Sequence, residues 1–123
     1  MRQGLFAAAF AALLTASCGQ SAQPARPTAA EVEYAARAEP SPPALAALYD
    51  RSCRTCHGSA ASGAPLAGQV SAWAPRLAAR GADGLLASFR KGRNAMPPGG
   101  LCPDCGDDDA RRIIAFMSTE PTR

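Results

Sequence analysis

The sequence predicts an all-α domain between residues 42 and 119. Four segments in this region carry apolar residues at helical spacing, and residues that start or stop helices flank them. A length of 123 residues leaves room for one such domain and an export segment. The net charge of +3 gives no case for nucleic-acid binding.

The first 18 residues have the pattern of an export signal. Residues 5–14 form an apolar run of ten, too short to span a bilayer and typical of a signal-peptide core. Cys18 then lies where a bacterial lipoprotein signal places its lipidated cysteine, although Thr15 replaces the usual leucine. Cleavage near Cys18 or Ala22, which would release a soluble periplasmic protein, is the alternative. Lipidation is favoured because it accounts for the odd fifth cysteine.

Residues 19–41 are rich in Ala, Pro, Gln, Ser and Thr, a composition that predicts a flexible tether. Within them, residues 31–39 favour helix but show no convincing apolar face, so a spacer is preferred here as well. The predicted domain then runs from residue 42 to residue 119, and residues 120–123 form a short tail.

The first predicted helix spans residues 41–52 and leads directly into the next motif. Ser41 can cap its start, and the proline that follows suits the first helical position. Leu45, Leu48 and Tyr49 share one face at helical spacing. This face is expected to bury against another helix.

Residues 53–57, Cys-Arg-Thr-Cys-His, form the attachment motif of a c-type haem. The thiols of Cys53 and Cys56 can each add across a haem vinyl group to form a thioether. His57, the only histidine, then lies under the ring, where its imidazole can bind iron. Half of a zinc site or a redox dithiol is the alternative. Haem is favoured because this attachment takes place outside the cytoplasm, which agrees with the export signal.

The segment after His57 offers three residues that could support a haem. The Pro65 carbonyl is a candidate acceptor for the second ring N–H of the histidine, unless Pro65 only stiffens a turn. A second predicted helix, residues 71–80, places Trp73 and Arg76 on one face. Either side chain could hydrogen-bond a haem propionate, and Trp73 could pack on the ring edge. Core packing for Trp73 and a solvated face for Arg76 are the alternatives.

Two further helices are predicted towards the C-terminus. Residues 83–91 form the third helix, with Asp83 as its cap and a glycine at its end. Residues 107–119 form the fourth, which starts with three aspartates. Its apolar face is expected to pack against Leu45, Leu48 and Tyr49 of the first helix.

Met96 is the candidate for the second iron ligand. It lies in the loop of residues 94–100, which two prolines stiffen, so its thioether is well placed to bind the distal side of the iron. Met117 is the competitor, but it shares the apolar face of the fourth helix and is therefore expected in the core.

These motifs in combination resemble class I cytochromes c, and within them the cytochrome c5-like type. The resemblance covers about 80 residues and rests on the CxxCH motif, Gly-Ala-Pro, the Trp–Arg segment, Met-Pro-Pro-Gly and the Cys-Pro-Asp-Cys of residues 102–105. It implies three to five helices around one covalently bound haem c, and a disulfide between Cys102 and Cys105. An exported pair would also meet an oxidising environment. The rival, a zinc site using both cysteine pairs, leaves His57 and Met96 unexplained.

The resemblance implies a monohaem electron carrier, with six-coordinate iron that is closed to substrates. Its expected partners are redox proteins such as dehydrogenases, oxidases or reductases, with membrane contact through a lipid anchor at most. A haem-c relay subunit of one dehydrogenase or oxidase is the second hypothesis, and a zinc or dithiol module is the third. The expected location is the periplasmic side of the membrane.

Overall fold

The computed structural model describes residues 26–121 of the chain. The predicted export signal, Cys18 and the first part of the predicted tether lie outside the described residues. Within residues 26–121, no helix is both long and apolar enough to cross a membrane.

Five α-helices and two short 3-10 turns build the described part of the chain. The helices are α1 (Ala29–Arg37), α2 (Pro43–Ser52), α3 (Arg54–His57), α4 (Val70–Lys91) and α5 (Asp107–Ser118), and the turns span Ala60–Ser62 and Pro98–Leu101. Among residues 26–121 there is no β-strand, only an isolated bridge between Arg93 and Met96. The predicted all-α fold is therefore confirmed.

Helix α1 corrects the prediction of a flexible tether for part of residues 19–41. The Glu31 backbone N–H donates to the Thr28 hydroxyl at 3.2 Å, and the Glu31 carboxylate accepts from the Thr28 N–H at 2.7 Å. This reciprocal capping box stabilises the helix start. Ala35 is 0% exposed and belongs to the main apolar core. A helix with a satisfied start and a buried face is not a spacer, so the prediction is wrong for residues 29–37.

The core lies where α2 meets α5. Leu45 and Tyr49 of α2 pack in one buried cluster with Ile113 and Met117 of α5. The rings of Tyr49 and Phe116 meet edge to face, with centroids 5.2 Å apart and planes at 80°. Such aromatic pairs add to the stability that area burial alone supplies. The two helices thus bury the apolar faces from which their pairing was predicted.

Two predicted helix starts differ in detail from the structure. Helix α2 begins at Pro43 with Pro42 as its N-cap and no side-chain cap hydrogen bond, so the predicted capping role of Ser41 is wrong. The helix begins too late for the Ser41 hydroxyl to be its cap. The second and third predicted helices are two halves of α4, separated by a break at Gly81, where φ is 65°. In the second half, the Asp83 carboxylate accepts a hydrogen bond from Arg111 of α5 at 2.7 Å.

Tyr49 carries a buried hydroxyl with no hydrogen-bond partner among the described residues. The side chain is 0% exposed, and burial raises its pKa to about 12, against the opposing effect of the Arg54 cation over the ring. The folded protein therefore favours the neutral phenol. The preference of the fold for the neutral phenol over the phenolate adds its full stabilisation below pH 10. This stabilisation is lost as the pH rises from 10 towards 12.

We expect Tyr49→Phe to raise the free energy of unfolding by about 1 kcal/mol, because it removes a buried, unpaired hydroxyl and keeps the ring. It should also remove the part of the alkaline destabilisation that the phenol causes above pH 10. Denaturant titrations at pH 7 and pH 11 measure both effects, with Tyr34→Phe as the control that shows neither. A stability loss in Tyr49→Phe would show that the hydroxyl has a partner after all.

Candidate functional site

A largely apolar cavity lies between the CxxCH segment and the methionine loop. Cys53, Cys56 and His57 line one side, and Met96 lines it from the loop that follows α4. Apolar side chains form much of the remaining wall, among them Ala64, Pro65, Trp73, Leu85, Phe89, Ala110, Ile113, Ile114 and Met117. The structure thus brings together the anchors and both predicted iron ligands around one space.

The single turn of α3 arranges the CxxCH segment. The Cys53 carbonyl accepts hydrogen bonds from the N–H of Cys56 at 3.2 Å and of His57 at 2.9 Å. This turn brings both thiols and the imidazole to one cavity. Both thiols are free, Cys53 half-buried and Cys56 exposed. Burial, with the neighbouring Cys56 thiol, raises the pKa of Cys53 to about 11.

The raised pKa of Cys53 disfavours the thiolate through which a redox dithiol reacts. The second cysteine pair bears on the zinc hypothesis. Cys102 and Cys105 form a disulfide, as the family resemblance implies, so the pair that a four-cysteine zinc site would need is already used. Within residues 26–121, no group of three or more His, Cys, Asp or Glu side chains could hold a metal ion.

His57 is held in the tautomer that a metal ligand requires. Its Nδ1 lies 2.7 Å from the Pro65 carbonyl oxygen, so Nδ1 carries the proton and donates it, and Nε2 keeps its lone pair. The side chain is 7% exposed. Burial lowers the pKa of His57 against the opposing Pro65 hydrogen bond, and the Arg76 cation lowers it further. The neutral imidazole is the form that binds iron.

The loop between His57 and α4 is closed by hydrogen bonds that include Trp73. The Ala67 N–H donates to the His57 carbonyl at 2.8 Å, and the Trp73 indole N–H donates to the Leu66 carbonyl at 2.7 Å. The only donor of the indole is thereby used, so the prediction that Trp73 hydrogen-bonds a propionate is wrong. Its ring instead packs near the imidazole, with centroids 5.8 Å apart. Trp73 therefore packs beside His57 and lines the cavity.

Arg76 lines the cavity, as do two arginines that the sequence analysis did not single out, Arg80 and Arg93. Arg76 donates to the Ala72 carbonyl at 2.5 Å, and none of the three forms an ion pair with a carboxylate among the described residues. They are therefore available to carboxylates of a bound group. Arg80 follows Arg76 by four positions on one helix, a spacing that the sequence shows.

Met96 is held by its own loop rather than by a helix. Arg93 and Met96 exchange backbone hydrogen bonds of 2.9 and 3.0 Å, which close the turn before the prolines. The Met96 methyl lies 3.3 Å from the position that a Cβ on Gly100 would take, a tight contact, and the φ of +56° at Gly100 favours glycine there. Met117 also lines the cavity, but it is nearly fully buried in the main core. The half-buried thioether of Met96 is therefore the freer candidate ligand.

Two cross-links hold the ends of the segment that carries Met96. Arg90 in the last turn of α4 pairs with Asp107 at the start of α5 through both carboxylate oxygens. This contact lowers the pKa of Asp107 below its usual range. The Cys102–Cys105 disulfide closes a tight turn in the same segment, with Cα atoms 5.3 Å apart. The segment between α4 and α5 is thus held at both ends, and Met96 within it lines the cavity.

The donor set fits a covalently bound haem c. Two free thiols, an imidazole with an open Nε2 and a thioether surround a mostly apolar space. Arginines without carboxylate partners line it. Ser52 also lines it, 4% exposed, with a hydroxyl that has no partner among the described residues. These are the groups that would anchor the ring, ligate its iron and neutralise its propionates.

Sequence comparisons agree with this donor set. Residues 40–117 match the family model described as "Cytochrome C oxidase, cbb3-type, subunit III". The chain is 46% identical over 72 residues to cytochrome c5 of Ectopseudomonas mendocina, covering 58% of this chain and 83% of that protein. It is 48% identical over 67 residues to cytochrome c5 of Azotobacter vinelandii, covering 54% and 81%. Similarity to cytochrome c-555 of Chlorobaculum tepidum is lower, 37% over 75 residues, covering 58% and 68%.

A solved structure shows the same fold. One chain of the crystal structure of an electron transfer complex of nitrite reductase with cytochrome c superposes with a TM-score of 0.54 at 43% sequence identity. The superposition covers 63% of this chain and 93% of that chain.

Gly92→Ala should disturb the methionine loop. A Cβ there would lie 2.8 Å from the Met96 carbonyl oxygen and 2.9 Å from the Pro98 nitrogen, at a φ of +77°. We expect a loss of about 3 kcal/mol in the free energy of unfolding, from strain and overlap together. The long-wavelength absorption band of methionine-ligated ferric haem should weaken as well. Denaturant titration and visible spectroscopy measure the two effects.

Gly81→Ala is the matched control for Gly92→Ala. Its φ of 65° and ψ of 177° are close to the 77° and 161° of Gly92, but a Cβ there would meet nothing within 4 Å. It should therefore cost only the backbone strain, about 1 kcal/mol, and keep the absorption band. Equal losses in the two variants would show that the contacts with the Met96 loop are not the cause.

Proposed function

The chain belongs to the class I monohaem cytochromes c of the cytochrome c5-like type, and we propose that it serves redox enzymes on the periplasmic side of the membrane. The family assignment itself means that the protein binds one haem c covalently and carries single electrons. Proteins of this kind are electron carriers and not themselves enzymes. The finer statements below concern the residues that hold the haem, the partners and the location.

We propose that Cys53 and Cys56 anchor the haem and that His57 and Met96 ligate its iron. The observation that carries this assignment is the hydrogen bond from His57 Nδ1 to the Pro65 carbonyl, because it directs Nε2 to the metal and strengthens it as a ligand. Haem iron with histidine and methionine ligands exchanges electrons at a potential that the thioether raises.

The remaining residues of the site set the environment for electron exchange. Apolar side chains such as Leu85 and Ile113 keep water away, and this favours the less charged, reduced state. Arg76 and its two neighbours in the cavity lining are proposed to neutralise the propionates. Cys56 is exposed, so the edge of the ring that it anchors lies near solvent, where a partner can approach. With His57 and Met96 both bound to it, the iron would offer no open site to a substrate.

Two observations bear on the partner. The solved structure with the same fold is part of an electron transfer complex of nitrite reductase with cytochrome c, which supports soluble encounters with redox enzymes. The matched family model is described as a subunit of a cytochrome c oxidase, which supports the second candidate, a relay subunit of one dehydrogenase or oxidase. Purification in a mild detergent followed by gel filtration distinguishes them, because a relay subunit would elute with its enzyme and a free carrier would elute alone.

The position of α1 limits how far a lipid anchor at Cys18 would let the domain move. Nine residues, 19–27, separate Cys18 from the N-cap Thr28. Fully extended, they span at most about 30 Å. A lipidated protein would therefore keep its haem domain close to the membrane surface, where membrane-bound dehydrogenases and oxidases are accessible.

Lipidation predicts a mature N-terminus at Cys18 that carries acyl chains. Mass spectrometry of the exported protein should show this mass, and the protein should sediment with membranes. Cys18→Ala should remove the acyl mass and prevent membrane attachment, because this position is the acceptor. An unmodified N-terminus beyond Cys18 in the wild-type protein would refute the anchor and leave a soluble periplasmic carrier.

Met96→Ala should open the distal position of the iron. We expect loss of the long-wavelength absorption band of the ferric protein and binding of added imidazole, because no thioether then occupies the site. Met117→Ala is the matched control: it should keep the band but lower the free energy of unfolding by about 3 kcal/mol through a core cavity. If Met96→Ala kept the band, the ligand assignment would be wrong.

A further inference from the structure

We infer that helix α1 is a positioning element for the axial histidine, which it supports through Tyr34, Ala35 and a backbone carbonyl. The helix lies outside residues 40–117, which match the family model, so the family alignment assigns it no role. The inference rests on the proposed ligation of iron by His57. It concerns residues 58–68, named here the proximal loop, which contain the Pro65 carbonyl that accepts the hydrogen bond from His57.

Helix α1 contacts the backbone at both ends of the proximal loop. A Cβ on Gly58, directly after His57, would lie 3.2 Å from the Ala35 carbonyl oxygen. A Cβ on Gly68 would lie 2.6 Å from the ring of Tyr34. Gly68 therefore allows the Tyr34 ring to approach closer than any larger residue would permit. Helix α1 thus packs against both ends of the proximal loop, at Gly58 directly after His57 and at Gly68.

Arg54 ties α1 to the CxxCH segment itself. Its Nη1 donates to the Ala36 carbonyl at 3.0 Å, and its Nη2 donates to the Glu39 carboxylate at 3.1 Å. Its Nε donates to Asp50 of α2 at 2.6 Å. The Ala36 carbonyl belongs to the last turn of α1, where helical carbonyls have no partner inside the helix. The Arg54 side chain is only 19% exposed, so these bonds are screened less than surface pairs are.

The proximal loop has hydrogen bonds of its own on both sides of Pro65, at Ser62 and Ala64 before it and at Leu66 after it, and α1 adds contacts at the two ends of the loop. Between its ends it contains one 3-10 turn and a glycine with a φ of +70°. The Ala67 N–H bonds back to the His57 carbonyl, and Gly68 N–H donates to the Met117 carbonyl, both at 2.8 Å. Contact with α1 at Gly58 and Gly68 restricts the remaining freedom of the Pro65 carbonyl. Release of α1 should therefore loosen the bond to His57 Nδ1 before the core unfolds.

Hydrogen exchange of the His57 ring N–H in the haem-loaded, full-length protein tests the inference directly. NMR can follow this proton because the iron shifts its resonance away from the amide region. The amide proton of Ile113, in the core helix α5, reports global unfolding in the same sample. Tyr34→Ala removes the ring on Gly68.

The matched control is Tyr34→Phe, which keeps the ring over Gly68. We expect Tyr34→Ala to accelerate exchange of the His57 ring proton by about tenfold or more without accelerating that of Ile113. Tyr34→Phe should match the wild-type protein. Should Tyr34→Ala fail to fold, the comparison of Tyr34→Leu with Tyr34→Phe tests the same point.

Two results would overturn the inference. An unchanged His57 exchange rate in Tyr34→Ala would show that α1 does not support the hydrogen bond. Equal acceleration of His57 and Ile113 would show that α1 adds only global stability. The proposed ligation fails in a different way: if His57 were not bound to iron, the wild-type protein would show no iron-shifted ring N–H signal.

Discussion

The hydrogen bond between His57 Nδ1 and the Pro65 carbonyl is the interaction on which the site depends. At 2.7 Å it sets the tautomer and aims Nε2, while burial lowers the pKa of His57 and keeps the imidazole neutral. The bond is possible because one turn of helix delivers His57 and a short loop returns the chain eight residues later. Two further hydrogen bonds hold this loop in place: the Trp73 indole N–H donates to the Leu66 carbonyl, and the Ala67 N–H donates to the His57 carbonyl.

The other half of the site depends on the packing of helices rather than on local sequence. The α2–α5 core holds the two ends of the domain together, and α4 leads into the methionine loop from one side of it. The pair between Arg90 and Asp107 then joins α4 to α5, so the segment between them must fold back over the cavity. Met96 faces the imidazole side because both ends of its segment are held there.

Much of this arrangement could be predicted from the sequence, and the failures have identifiable causes. The CxxCH motif and the apolar faces of α2 and α5 are local patterns, and both lie where they were expected. The role of Trp73 was mispredicted because its indole partner, the Leu66 carbonyl, is a backbone group that no motif records. Helix α1 was missed although Thr28 and Glu31 show a capping-box pattern, because composition was given more weight than the cap.

The sequence by itself determined the chemistry: two thiols and an imidazole at the spacing for haem attachment, one loop methionine, and helices long enough to enclose them. These depend on neighbours along the chain, whose relative positions covalent geometry restricts. Only the tertiary structure decided which donors are free. In it, the Trp73 indole N–H donates to the Leu66 carbonyl, and Arg76 and Arg80 form no ion pair with a carboxylate of the described residues. Helix α1 packs against Gly58 and Gly68. Hydrogen-bond partners distant in sequence are chosen by packing, and packing is not a local property of the chain.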